Sequence, residues 1–242
     1  MTCLPEPQGP AGPLPIDPGR VADALSRERL AKYLTRTGGD VERALDLYAW
    51  NQEIGAALTV TLSQVEVCLR NQIARALADA YGPAWHRVVR FRHAHAEVQN
   101  ELNKSEGRVK KPMPSLPDVI AASDFNLWRE LCKPAYAGVF WAKRIPIAFP
   151  YMTLAGKERE VLNELHRRVD LLLKLRNRIA HHEPIIGSNW EKVGAKLADR
   201  HRDAAELLGW MSGDLARWVL ARDRFPAVLA TCPIEDGPQP VP

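Results

Sequence analysis

The chain has 242 residues, enough to bury one substantial core, or one core with a small appendage. With 46% hydrophobic and 26% charged residues its composition is that of an ordinary globular protein. A formal net charge of +4 and a pI near 8.9 exclude a histone-like polycation but permit contact with a phosphate backbone. The four cysteines (Cys3, Cys68, Cys132, Cys232) are far apart and form no CxxC pair, which points to free thiols in a reducing compartment rather than a disulfide framework or structural zinc. No apolar run approaches the roughly 20 residues of a membrane span, and no charged segment precedes an apolar signal core. A cytoplasmic protein with no membrane partner is expected.

Residues 1–19 hold six prolines and three glycines and read as a disordered leader. Residues 20–225 read as a single all-α domain, and residues 226–242 as a Pro-rich tail. The spacing predicts a first short helix from Ser26 to Arg36, stopped by Thr37-Gly38-Gly39, with Asp40 as the N-cap of the next helix. From Val41 to Tyr81 there is no proline, and Leu45, Tyr48, Leu58, Leu62, Val65, Leu69, Ile73 and Leu77 keep helical spacing. This predicts one very long helix or two nearly continuous ones, with Gly55 marking a break or a close crossing and Tyr81-Gly82-Pro83 the end. Lys104 to Pro112 reads as a polar, basic loop, and Asp118 to Cys132 as one helix. After a Pro- and Gly-punctuated aromatic connection come a helix from about Lys157 to His182 and a last one from about Trp190 to Arg222. Trp190 and Trp218 are expected to pack rather than to serve as stacking platforms. No alternating β-branched stretch argues for a sheet.

Leu175-Arg176-Asn177-Arg178-Ile179-Ala180-His181-His182-Glu183-Pro184 carries the chemistry. Val161, Leu162, Leu165, Val169, Leu172, Leu173, Ile179 and Ala180 recur at amphipathic spacing, and at about 100° per residue Arg176 points inside that apolar arc. A guanidinium is costly to bury without partners, so its place there demands an explanation. Asn177 and His181, four apart, flank the arc. Leu69-Arg70-Asn71-Gln72-Ile73-Ala74 nearly repeats the motif but has Arg75 where the second copy has His181, so only one catalytic copy is expected per chain.

The segment resembles the end of the Abi-like (abortive infection) family, a branch of the HEPN superfamily of α-helical ribonucleases and RNA-binding modules. Ala44-Leu45-Asp46-Leu47-Tyr48-Ala49-Trp50-Asn51, leading into Val65-Glu66-Val67-Cys68-Leu69-Arg70-Asn71, looks like that family's long N-terminal helix. Ser123-Asp124-Phe125-Asn126-Leu127-Trp128 stands where the family has a Phe-Gly-Phe-Trp segment. The resemblance covers roughly residues 25–225. It implies a HEPN-like helical bundle and a metal-independent endoribonuclease, with a site assembled across a homodimer. The same resemblance implies a role in phage defence or as a toxin, with an RNA or protein antitoxin as inhibitory partner.

The implied chemistry can be rebuilt from the residues. The 2′-hydroxyl of RNA attacks the adjacent phosphorus, leaving a 2′,3′-cyclic phosphate and a 5′-hydroxyl. His181 is the candidate for proton transfer, and a helix C-terminus suits it to donating a proton or clamping an anion. Arg176 would hold the non-bridging oxygens with its forked donors, and Asn177 would orient His181 or the phosphate. His182, Arg178 and Glu183 are secondary candidates, and Arg108, Lys110 and Lys111 are weaker candidates for tracking an RNA backbone. No cofactor and no metal are expected; His93-Ala94-His95 lacks supporting ligand spacing, which also disfavours a metal-dependent hydrolase.

The plainer alternatives remain open. Arg176 forms an ion pair with a carboxylate such as Glu66 or Asp124, the histidines only cap the helix, and Glu66 and Arg70 pair within their own helix. The protein is then a non-catalytic HEPN module that binds RNA or a protein.

Overall fold

The computed structural model describes residues 16–186 and 193–234, and every regular element among them is helical. Cys3 and Trp190, and most of the Pro-rich segments at either end, lie outside the described residues. The chain divides into two compact units, one through Trp50 and one from Asn51.

The first unit holds α1 (Pro18–Leu25), α2 (Arg27–Arg36) and the beginning of α3 (Val41–Tyr81). Helix α1 starts inside the segment expected to be a leader, because Asp17 accepts the Gly19 and Arg20 amides and Pro18 occupies the first turn, where its missing N–H costs nothing. Ser26 caps α2 by accepting from Arg29 N–H at 3.3 Å, and Asp40 caps α3 by accepting from Arg43 N–H at 3.1 Å. Leu30, Tyr33, Ala44, Leu47 and Trp50 are buried, and Tyr33 meets Tyr48 edge to face at 5.4 Å.

The second unit contains the rest of α3, then α4 (Val89–Ala94), α5 (Ala96–Arg108), α6 (Leu116–Ala122), α7 (Phe125–Leu131), α8 (Ile145–Ala148), α9 (Glu158–Ala180), α10 (Val193–Met211), α11 (Gly213–Leu220) and α12 (Phe225–Ala230). Helix α3 is one unbroken helix to Tyr81, and Gly82 at φ +84° turns the chain out of it. Its stripe Ile54, Leu58, Leu62, Val65, Leu69, Ile73 and Leu77 is buried, as are Leu162, Leu165, Val169 and Leu172 of α9.

Four further boundaries differ from the sequence expectation. Residues 104–108 are helix rather than loop, because Ser105 Oγ bonds back to Glu101 O at 2.7 Å and Glu106 pairs with Arg92. The expected helix over residues 118–132 is two, parted at Ser123, whose hydroxyl accepts the Trp128 indole N–H at 2.9 Å. The expected last helix is also two, because Ser212 caps α11 through Leu215 N–H at 3.3 Å while Gln72 Nε2 donates to Met211 O at 3.1 Å. Helix α12 lies where a tail was expected, and it buries Phe225, Val228 and Leu229.

Trp50, Trp85, Trp128, Trp141 and Trp210 are buried, but Trp218 is 53% exposed with the Arg222 guanidinium over its ring at 4.7 Å, so packing does not describe it.

Candidate functional site

The end of α9 gathers the motif. Helix α9 is buried on Val161, Leu162, Leu165, Val169, Leu172, Leu173 and Leu175, after which Arg176 and Asn177 turn to solvent. Arg176 therefore does not sit in a sealed core as its place in the apolar arc suggested. Its side chain is 45% exposed, and its Nε lies 3.5 Å from Glu66 Oε2 on α3. Asn177 Oδ1 stands 3.4 Å from Arg176 Nη1, a long hydrogen bond at best. Asp124, the other acid considered for Arg176, instead takes Arg108 at 2.6 Å.

A Schellman turn ends the helix. His182 N–H donates to Ile179 O at 3.0 Å, and Glu183 N–H donates to Arg178 O at 2.8 Å. His182 holds the left-handed position at φ 55°, which histidine tolerates better than most side chains. His181, His182 and Glu183 are all exposed. The His181 imidazole has no hydrogen-bond or ion-pair partner among the described residues. Arg178 secures the turn, donating to Pro184 O and lying 3.7 Å from Glu183 Oε2.

Helix α3 locates this turn from the other side. Asn51, 3% exposed, accepts Ile185 N–H at 3.0 Å, and a methyl built on Gly55 would lie 3.5 Å from Ile179 Cγ2. Gly55 is thus a close crossing and not a break. As contact positions rise along α3 from Asn51 through Gly55 to Glu66, their partners fall from Ile185 through Ile179 to Arg176, so the two helices run antiparallel here. Ile185 and Ile186 are buried, so the chain re-enters the core directly after the turn.

A polar network anchors α9 further back. Arg129 of α7 reaches Asp170 at 3.3 Å, and Lys174 reaches the same carboxylate at 2.7 Å. Burial works against the Asp170 anion, yet Lys174 first and then Arg129 hold its pKa below the usual range. Glu164 is held low, at about 2, chiefly by its hydrogen bond from Arg167, with Arg168 adding to it against the effect of burial.

The remaining candidates are scattered. Arg108 is paired with Asp124 and Lys111 with Asp118 at 2.6 Å, while Lys110 is exposed on the intervening loop. The His95 ring meets that of Tyr136 at 4.2 Å between centroids, tilted by 57°. Among the described residues no group of three or more His, Cys, Asp or Glu side chains is placed to hold a metal ion.

The near-copy at Arg70 is placed differently from the motif on α9. Leu69 and Ile73 are fully buried in the middle of α3, Arg70 Nε has no hydrogen-bond partner among the described residues, and the expected Glu66–Arg70 pair is replaced by Glu66–Arg176. Asn51 was missed as a site residue, although it breaks the apolar stripe of α3 in the way that singled out Arg176 on α9.

No protein-family model, curated protein or solved structure matches the chain.

Proposed function

We propose that the protein is a metal-independent endoribonuclease of the HEPN type, related to the Abi-like family, and that the exposed end of α9 is half of its site. The observation that carries this is the exposure of Arg176 and Asn177 near the end of α9 and of His181 and His182 in the turn that closes it, between Leu175 on one side and Ile185 and Ile186 on the other, all three buried. An exposed imidazole and a half-exposed guanidinium at one helix end can each meet a phosphodiester without unfolding anything.

In this mechanism Arg176 exchanges Glu66 for the non-bridging oxygens of the scissile phosphate. His181 moves a proton, giving it to the departing 5′-oxygen as the bond from phosphorus to that oxygen breaks, while the 2′-hydroxyl gives its proton to water and closes on phosphorus. Asn177 orients the phosphate or the imidazole. A second copy of the chain supplies the other half-site, and pairing two arginine-bearing ends is repulsive until an anion lies between them. Phage defence or toxin action, with an RNA or protein antitoxin restraining it, is the cellular role proposed with this chemistry.

Purified protein incubated with single-stranded and structured RNA in excess EDTA should yield fragments ending in 2′,3′-cyclic phosphate, and His181→Ala should remove them. One observation favours the rival, a non-catalytic HEPN module that binds RNA or protein: Arg176 already has a carboxylate partner in Glu66. RNA that is bound but never cut would establish that rival.

A further inference from the structure

Arg70 lies on α3, in the same compact unit as the end of α9, and has no partner among the described residues. The residue is half-buried, and its Nε is shut off from solvent without a hydrogen bond. Its two terminal nitrogens are not shut off, and they too make no hydrogen bond or ion pair among the described residues. A guanidinium keeps its charge at any ordinary pH, so desolvating part of it without a partner is unfavourable. The side chain thus holds out an open, uncompensated charge on a partly desolvated base.

A natural partner is close by. Glu66 precedes Arg70 by four residues on α3, a spacing that sets two side chains side by side with about 5–6 Å between Cβ atoms. Glu66 nevertheless lies against Arg176 of α9, its Oε2 at 3.5 Å from Nε. Two arginines, one from each helix, are therefore within reach of one carboxylate, and only one of them is met. The three groups together carry one positive charge in excess. That excess sits beside Asn177 and one turn from His181.

We propose that Arg70 is a second phosphate-binding residue of the site at the end of α9, taking an RNA backbone phosphate beside the one that Arg176 holds. The inference rests on the reading that RNA meets the end of α9, whether or not it is cut there. An open guanidinium gains charge-assisted hydrogen bonds from a phosphate, and a phosphodiester strand offers such an anion at every nucleotide. Arg70 touches no reacting atom in this scheme. It fixes the register of the strand, so that the scissile phosphate falls on Arg176 and His181. The charge left uncompensated in the free protein is the part that RNA completes.

The test titrates the full chain into a fluorescent 2′-O-methyl RNA oligonucleotide, which lacks the attacking hydroxyl, and reads anisotropy over a series of salt concentrations. Each phosphate contact to a single strand contributes about 0.7 to the slope of log K against log salt. Arg70→Gln should reduce that slope by about 0.7 and weaken binding about tenfold or more at low salt. Arg70→Lys, which keeps the charge, should restore the slope. Arg75→Gln makes the same charge change at an exposed position about 140° around α3, and should leave the slope as in the wild type. An unchanged slope for Arg70→Gln where Arg176→Gln lowers it would overturn the role of Arg70 and leave the α9 site standing. An equal fall for Arg75→Gln would mark a diffuse charge effect and overturn it as well. No saturable binding by the wild type, or unchanged slopes for both Arg70→Gln and Arg176→Gln, would overturn this inference and the α9 site together. Cleavage of ordinary RNA is scored separately, so a chain that shows these slopes and never cuts supports the inference and refutes only the nuclease. Should Arg70→Gln fail to fold, Arg70→Met takes its place with the same expectation.

Discussion

Arg176 and Glu66 face each other across two helices, Nε 3.5 Å from Oε2, with the acid 19% exposed and the base 45%. A pair this open contributes about 0.2–1 kcal/mol, too little to account by itself for an arginine in that arc. A double-mutant cycle with Arg176→Gln and Glu66→Gln, followed by chemical denaturation, should give a coupling below about 1 kcal/mol. Glu66→Gln alone should tighten binding of inorganic phosphate by releasing the guanidinium. A coupling of about 3 kcal/mol or more, the scale of stranding a buried charge, would make Arg176 a structural residue.

His181→Ala should lower RNA cleavage about 10²–10⁴-fold, the usual worth of one positioned proton-transfer group. The side chain is exposed, so stability should move by no more than about 0.5 kcal/mol. Cleavage is followed on labelled RNA and stability by thermal melting of the same preparation. Unaltered cleavage would remove His181 from the site.

Gly55 offers a test of geometry by size. Its missing methyl would meet Ile179 Cγ2 at 3.5 Å, an ordinary van der Waals contact, so Gly55→Ala should be stabilising by up to about 1 kcal/mol through helix propensity. Gly55→Leu needs room that the crossing lacks and should destabilise by about 1–3 kcal/mol. Opposite signs for these two variants in urea melts would verify the close approach of α3 to the end of α9.

Asn51→Ala should cost about 1–3 kcal/mol, because it leaves the buried Ile185 N–H without its acceptor. The same variant should lower cleavage more than Gly55→Ala does, since it frees the limb beyond His182. Urea denaturation and single-turnover cleavage on the same preparations separate the two effects.

Acid should weaken the fold in two stages. Burial pushes the His86 pKa down from its usual 6.5, with Arg87 and Arg92 adding to this and Glu106 opposing it. His166 moves the same way, first from burial and then from Arg129 and Lys133, against Asp170 and Glu130. With the folded value below the unfolded one, the unfolded chain binds more protons, so this stability is complete above about 6.5 and is lost as pH falls through the folded values. The contribution of Glu164 is lost later, between its usual 4.5 and about 2. Urea melts over a pH series should show the first decline, and His86→Leu should flatten it.

The long helices were legible because their apolar stripes run without interruption, from Leu58 to Leu77 and from Val161 to Leu175. The breaks at Ser123 and Ser212 were not, because apolar spacing continues across each one and a single serine hydroxyl diverts the backbone. The same failure misplaced Trp218, which keeps core spacing only if α10 and α11 are one helix. At the candidate site the residue identities could be read from sequence, but exposure could not. Periodicity gave Arg176 its direction around α9, and only the structure showed that burial stops one residue earlier, at Leu175.

The Schellman turn at His182 also bears on the entropy of binding. Leu175 on one limb and Ile185 and Ile186 on the other are fixed in the core, so the imidazoles are displayed on a short arch with no free end. A loop of the same composition would have to be immobilised by each substrate it met, at about 0.5–1.5 kcal/mol for every rotamer-rich side chain, on top of the backbone cost. Here folding has already immobilised the backbone, and a phosphate arriving at Arg176 and His181 would have only their side-chain torsions left to still.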